Sequence, residues 1–577
     1  MINNKNYSTY QNINLKSIKV FTLTFAILLI SSINQSYSKN DLLINSLKKE
    51  LNRTLEELKT EPQPPYFISY YVTDINKITI SASFGSLVNS SENRSRLLDI
   101  DLRVGDYNFD NTHIIRGSSF NFGGSLGAVE LPIEDDELTI RNAVWFASDK
   151  IYKSAIEKYE KAKTNQKVKI KEEDESADNS IEKPVVNHLS IDKPNVDKKY
   201  WEDITRELSK QFLLHPEFYD GEVIFQFEFS DKTMINSEGT EITWSETFSR
   251  LFVFAKTKAE DGMTLPLYKS YFSYNPDGLP KKTEILVDID KIINDLKALQ
   301  KAPLMNTYSG PAILSGEASG VFFHEIFGHR VEGHREKDPN SGQTFKKSVG
   351  KSVLPDFIDV IFDPTIKKYK DIEVSGYYNF DDEGVPSQRV VSVEKGIFKS
   401  FLMNRSPIES FPNSNGHGRK QFGYKPVARQ SNLIVESSKT IPTSELKTEL
   451  RKICKDKNLE FGLLFDVVQG GFTFTGRTVP NAFNVQPLVV YKIFTDGRPD
   501  ELVRGVDLIG TPLATFSNIV AVGNDIGVFN GVCGAESGGV PVSACSPSIL
   551  VSNIEVQKKK KSQAKLPILK NPIKPSN

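Results

Sequence analysis

The stretch SGEASGVFFHEIFGHRVEGHREKD, residues 315–338, is the one on which the reading of this chain turns. Ser315 ahead of small and apolar residues reads as a helix N-cap, and Glu317 suits the positive end of a helix dipole. The pattern predicts a helix over residues 316–333. The chain holds seven histidines, and three of them, His324, His329 and His334, fall in this segment. His324 is followed directly by Glu325. Imidazole nitrogen is a good zinc ligand, and an adjacent carboxylate can take a proton from an attacking water. The spacing is HExxxH rather than HExxH. At about 100° per residue, histidines five apart stand about 140° apart on a helix, against about 40° for four. A regular helix would not aim both at one metal. A π-type bulge, eased by Gly328, would restore the alignment. Spacing alone leaves two readings open: a metal-binding helix, and a helix with scattered polar residues on its solvent face.

Working outward, the residues after this segment read mostly as strand and turn, as in DIEVSGYYNF, RVVSVEKGIFKSFLM and FNVQPLVVYKIF. Before it, residues 40–59 carry apolar residues at helical spacing. YFISYYVTD and KITISASFG read as strands with turn residues between them, and residues 137–162 as a helix. Residues 164–199, rich in charge, Asn, Ser and Pro, read as an exposed loop. The expected class is α+β, with strand-rich antiparallel sheets and a few helices. The expected division is an N-terminal α+β domain over 39–300, a β-rich catalytic domain over 301–556 and a basic mobile tail over 557–577.

With 72 basic and 73 acidic residues the net charge is −1, which gives no nucleic-acid footprint. Lys16 and Lys19, the apolar run 20–30 and the ending Ser36-Tyr37-Ser38 have the layout of a secretory signal. The expectation is a signal peptide over 1–38 and an exported protein, periplasmic or secreted, with an uncleaved membrane anchor as the alternative. No later segment reads as membrane-spanning. Three cysteines, Cys454, Cys533 and Cys545, are too few for a disulfide scaffold.

The 315–338 segment is similar to the active-site helix of the TldD/PmbA family of metalloproteases, in its TldD-like subunit, which uses HExxxH. The resemblance extends to GYYNFDDEGVPSQRVVSVEKGIFKSFLMNR (376–405), NGHGRKQFGYKPVARQSNL (415–433) and GNDIGVFNGVCGAESGGVPVSACSPSILV (523–551), and covers nearly all of residues 40–556. It implies a zinc-dependent metallopeptidase with one zinc per catalytic subunit, held by His324, His329 and Cys533. Glu325 matches the general acid/base. It also implies that peptides or unfolded segments enter a chamber formed by a homodimer, or by a pair with a related subunit lacking the motif. Other readings stand beside these. His334 would be a third histidine ligand, or Cys533 and Cys545 a disulfide. Asp381, Asp382 and Glu383 would hold a second cation or form a turn with solvated carboxylates. His417, Arg419 and Arg429 sit in a loop that would face substrate, or are surface charge. Two rival classes remain: a non-catalytic peptide-binding or assembly subunit of such a dimer, and a secreted β-rich structural protein.

Overall fold

Long runs of alternating β-branched and aromatic residues make long strands here, and the strands set the architecture. The computed structural model describes residues 42–115, 128–166, 174–477, 483–510 and 515–559, with 566–567, 569 and 571–572 beyond them. The leader-like segment 1–38 lies outside the described residues, as does much of the tail. Among the described residues no helix is long and apolar enough to cross a membrane.

The fold is α+β. Its N-terminal half is a seven-stranded, largely antiparallel sheet centred on Pro65–Ser83, which pairs with Ser86–Val104 on one side and Asp220–Asn236 on the other. The two strands read from YFISYYVTD and KITISASFG are one continuous strand. Its pairing with Asp220–Asn236 runs from Ser69 to Ser83 without a shift, so the backbone groups a turn at Asn76-Lys77 would release are claimed from both sides. Arg94 and Arg96 of the neighbouring strand both grip the Asp74 carboxylate, at 2.6 and 2.9 Å, and fix the strand there.

Ile68, Tyr70 and Val72, and farther along Ile78 and Ile80, face helices. The helix over 42–58 and Glu137–Gln166 cover one end of this face, and Lys198–Ser209 and Lys282–Lys301 the other. The opposite face carries Tyr71, Met234 and Trp244 and packs on Phe380 of the C-terminal half.

Part of the segment 164–199 departs from the expected exposed loop. Asp174, Asp178, Asn179 and Ser180 are buried. Asp178 pairs with Lys337 at 3.2 Å and with His113, and the carbonyls of Ser176 and Ala177 accept from the Lys337 ammonium. Polar composition signals exposure only when the polar groups lack partners, and here the C-terminal half supplies them.

The C-terminal half stacks two further sheets. In one, the strands Tyr308–Leu314, Phe461–Thr473, Phe483–Phe494, Val506–Gly510 and Ile549–Lys558 pair in a closed ring. In the other, Gly527–Ala535 and Gly538–Ser546 form a hairpin beside Asn432–Ser437 and Ile358–Phe362. The helix Gly316–Ile326 lies between them and is buried throughout except at Glu317 in its first turn. That burial explains its all-round apolar sequence, because a helix wetted on one side would alternate.

The acidic turn at 381–383 is buried rather than solvated. Asp381 accepts from the backbone N–H groups of Glu383, Val385 and Gly418, Asp382 from the Tyr71 hydroxyl and the Lys420 N–H, and Glu383 from the Arg405 N–H. No metal-binding group occurs there among the described residues. Burial raises the proton affinity of both Asp381 and Glu383, and Glu383 raises that of Asp381 further. A carboxyl with a raised folded-state pKa contributes stability below its unfolded value and loses it as pH rises through the folded value. Glu383→Gln is therefore expected to flatten the fall in melting temperature as pH rises above the ordinary carboxylate range. Thermal denaturation across that range in both proteins checks it; unchanged slopes would remove the pair from the pH response.

Candidate metal centre

The helix begins as its sequence asks, with the Ser315 hydroxyl accepting from the Ala318 N–H at 3.4 Å. It ends early, at Ile326 rather than 333. The chain leaves the helix axis at Phe327 and enters a 3-10 turn, Gly328–Arg330. His329 is thus carried by a separate turn, and the 140° problem of a continuous helix does not arise. No π-bulge is needed. The carbonyls left open at the helix end are met by side chains, as buried helix ends require. Arg330 donates to the carbonyls of Glu325 and Ile326 at 2.8 and 3.0 Å, and the Gln430 amide to that of His324. Gly328 is needed there, since a Cβ would lie 1.9 Å from the Gln430 side-chain oxygen.

The turn brings His329 back to His324, with the imidazole rings 5.0 Å apart and nearly perpendicular. Cys533 comes from the strand Gly527–Ala535. Its Sγ lies 3.3 Å from His324 Nε2 and 3.4 Å from His329 Nε2, and the three candidate ligand atoms lie within 4.8 Å of one another. Zn–S near 2.3 Å and Zn–N near 2.0–2.1 Å at tetrahedral angles imply an S···N edge of about 3.5 Å. The donor set and its spacing fit zinc. Burial alone would raise the Cys533 thiol, but His329 and His324 outweigh it and hold the thiol well below its usual value. That favours the thiolate a metal takes.

Glu325 lies on the helix beside these groups, its Oε2 3.9 Å from His329 Nε2. That oxygen is buried and has no hydrogen-bond partner. Burial raises the carboxyl's proton affinity, and the two imidazoles pull it back. All four residues line one cleft of about 630 Å³. Gly471 forms the wall against Glu325, where a Cβ would stand 2.6 Å from the glutamate Cγ.

His329 is held from behind. Its Nδ1 lies 3.2 Å from Glu332 Oε2, and that carboxylate also accepts from Arg335 at 2.8 and 2.9 Å. Burial would raise the Glu332 carboxyl, yet His329 and Arg335 hold it down at about 2. An anionic Glu332 fixes the tautomer that leaves Nε2 free for a metal. The sequence reading missed Glu332. Its place three residues after His329, just past the turn that carries that ligand, was the available signal.

Several sequence-predicted residues sit elsewhere. His334 pairs with Glu536 and is not in the His–His–Cys group. All three cysteines are free: Cys545 pairs across the hairpin with Val528, and Cys533 with Val540. His417, Arg419 and Arg429 do not line the cleft. Each is buried and hydrogen-bonded within the protein itself, which offsets the cost of burying it. His417 bonds Ser431 at 3.2 Å, and burial drives it down to about 3. Arg419 donates to the carbonyls of Gln430 and Pro541. Arg429 donates to the Cys533 carbonyl at 2.6 Å and to Ser537, and lies 3.5 Å from Glu332. Arg419 and Arg429 thus brace the Cys533 hairpin, while His417 is held by Asn415 and Ser431.

Residues 307–558, which hold the whole site, match the family model described as the PmbA/TldA metallopeptidase C-terminal domain. The C-terminal half of the chain belongs to the TldD/PmbA family. Relatives include a metalloprotease of Archaeoglobus fulgidus, 31% identical over 275 residues, 48% of this chain and 58% of that one. A metalloprotease of Methanothermobacter thermautotrophicus is 27% identical over 336 residues, 57% and 67% of the two chains. A zinc metalloprotease TldD homolog of Saccharolobus solfataricus is 23% identical over 366 residues, 61% and 75%. The chain thus spans about half to two thirds of the length of the first two. Among solved structures, a putative modulator of a DNA gyrase from Thermotoga maritima superposes with a TM-score of 0.57 at 15% identity, covering 88% of this chain and all of that one. TldE from Thermococcus kodakarensis does so with 0.57 at 14%, covering 89% and 100%. These two likenesses concern the fold alone.

Proposed function

We propose that this protein is a zinc-dependent metallopeptidase that hydrolyses peptides or unfolded polypeptide segments, with Glu325 as general base. One observation carries the reading: two imidazole nitrogens and a thiolate converge on a point beside a buried carboxylate oxygen that has no other partner. Zinc bound by His324, His329 and Cys533 would supply the Lewis acidity that polarises a peptide carbonyl and acidifies an attacking water.

The rest falls to the chain itself. Glu325 takes the proton of the attacking water and hands it to the leaving amine, which requires a carboxylate free of competing donors. Arg330, bonded to the last two carbonyls of the helix and to Thr473 at 2.7 Å, keeps the glutamate and the cleft wall in step. Beyond Asp466 the strand Phe461–Thr473 is paired only with Phe483–Phe494; on its other edge no described strand pairs with 467–473. That edge borders the cleft and offers main-chain groups to an extended peptide, a mode that binds with little sequence preference. A homodimer, or a pair with a related subunit, is part of the proposal on the sequence resemblance.

Zinc content per chain, together with cleavage of an unstructured peptide before and after chelation and zinc return, tests the reading. Zinc-loaded protein that leaves such peptides intact would sink it. A finer check is Gly471→Ala. The added methyl must push Glu325 off its seat, so kcat is expected to fall about ten- to a hundred-fold with zinc content unchanged, as misplacement of a catalytic group by about 1 Å does. Unaltered kcat would mean that the glutamate position is not critical.

A further inference from the structure

The cleft wall carries a feature that main-chain binding does not use. Phe472 and Phe474 are 43% and 48% exposed, and Val532 across the cleft is 61% exposed. Scattered exposed apolar residues are ordinary on protein surfaces, but these three line the cleft that holds Glu325 and the His–His–Cys group. The two phenyl rings contact edge to face, 5.4 Å between centroids. They project from the same side of the strand because they alternate with Thr473 and Thr475. Those two hydroxyls bond the buried guanidiniums of Arg330 and Arg335, at 2.7 and 3.2 Å. The arginines hold the threonines inward, and the rings are thereby held outward. Gly471, directly before them, abuts Glu325, so the first ring begins one residue from the proposed base.

We propose that Phe472, Phe474 and Val532 form an apolar side-chain subsite, and that it selects peptides carrying an aromatic or large aliphatic residue next to the bond presented to Glu325. The inference rests on the peptidase reading and gives it a substrate class. A peptide strand laid on the free edge beside 469–473 directs alternate side chains to the two faces of the strand, and one set meets the rings. Folded proteins bury such residues and unfolded segments display them, so the subsite also separates the two.

The test uses full-length zinc-loaded Glu325→Gln protein as a trap, so that binding is read without turnover. Two fluorescent decapeptides of one polar sequence, differing at one central position as Phe or Ser, are titrated by anisotropy. The Phe peptide is expected to bind about ten- to a hundred-fold more tightly, the range that apolar pockets of this kind discriminate. Adding Phe472→Ser and Phe474→Ser should bring both peptides to the Ser-peptide affinity, with zinc content and melting temperature unchanged. Phe474→Leu alone should keep most of the preference. Equal affinities in the trap protein, or a preference that survives the double change, would overturn the subsite. So would a double variant whose mass in solution halves, since the rings would then be covered by a second copy of the chain. If active protein cleaves neither peptide, the peptidase reading fails on its own, while the anisotropy difference still decides the subsite.

Discussion

Glu325→Gln protein is expected to keep its zinc and lose peptide hydrolysis, by about 10² to 10⁴ in rate, the usual contribution of a positioned general base. The amide matches the carboxylate in size, so the packing of Gly471 against this side chain is preserved. What changes is chemical. The buried Oε2, which accepts from no donor in the protein, becomes part of a group that cannot take a proton at neutral pH. His329 does not depend on Glu325 for its orientation, because it is braced by Glu332. Zinc content beside steady-state kinetics on one peptide separates the two effects. Near-normal turnover would exclude Glu325 as the base, and loss of zinc would show that it supports the ligands instead.

Cys533→Ser is expected to empty the site while the protein stays folded. Serine does not deprotonate readily and is a poor replacement for a thiolate on zinc. Cys545→Ser and His334→Ala should leave zinc in place, because Cys545 packs in a separate apolar cluster with Ile361 and Ile434 and His334 is engaged by Glu536. Melting temperatures should change little on losing Cys533, whose side chain belongs to a small cluster with Val540 and Val542 only. Metal analysis of the three purified variants checks the set. A site that stays full in Cys533→Ser but empties in His334→Ala would transfer the third ligand to His334.

The sequence made some of this legible and hid the rest for identifiable reasons. Strand content followed from residue type, and the helix start from Ser315. The helix end did not, because nothing in EIFGHRVEG announces a stop: the chain turns at Phe327 only because Arg330 and Gln430 meet the freed carbonyls, and Gln430 is 106 positions away. The ligand set came from resemblance, since Cys533 is 209 positions from His324. For His417, Arg419 and Arg429 the sequence left two readings open, because an arginine that meets a substrate and one that meets a carbonyl look alike in sequence. Burial distinguishes them. Closure of the five strands into a ring depends on pairings between Tyr308–Leu314 and strands far along the chain, and no local pattern encodes it.

The strand that walls the cleft begins with both edges paired and ends with one edge paired. Its inner part, Leu463–Phe465, is held by strands on both sides. Farther along, the Tyr268 hydroxyl of the N-terminal sheet donates to the carbonyls of Val468 and Gln469, and Val467 packs into the core around Ile78, Phe225 and Leu251. The lip is thus a cantilever with its root in one half of the molecule and its prop in the other. The sequence family boundary at 307 and the mechanical boundary do not coincide. A fragment cut there would carry every candidate ligand, yet its cleft wall would be held along one edge only, by Phe483–Phe494, with the prop left behind in the discarded piece.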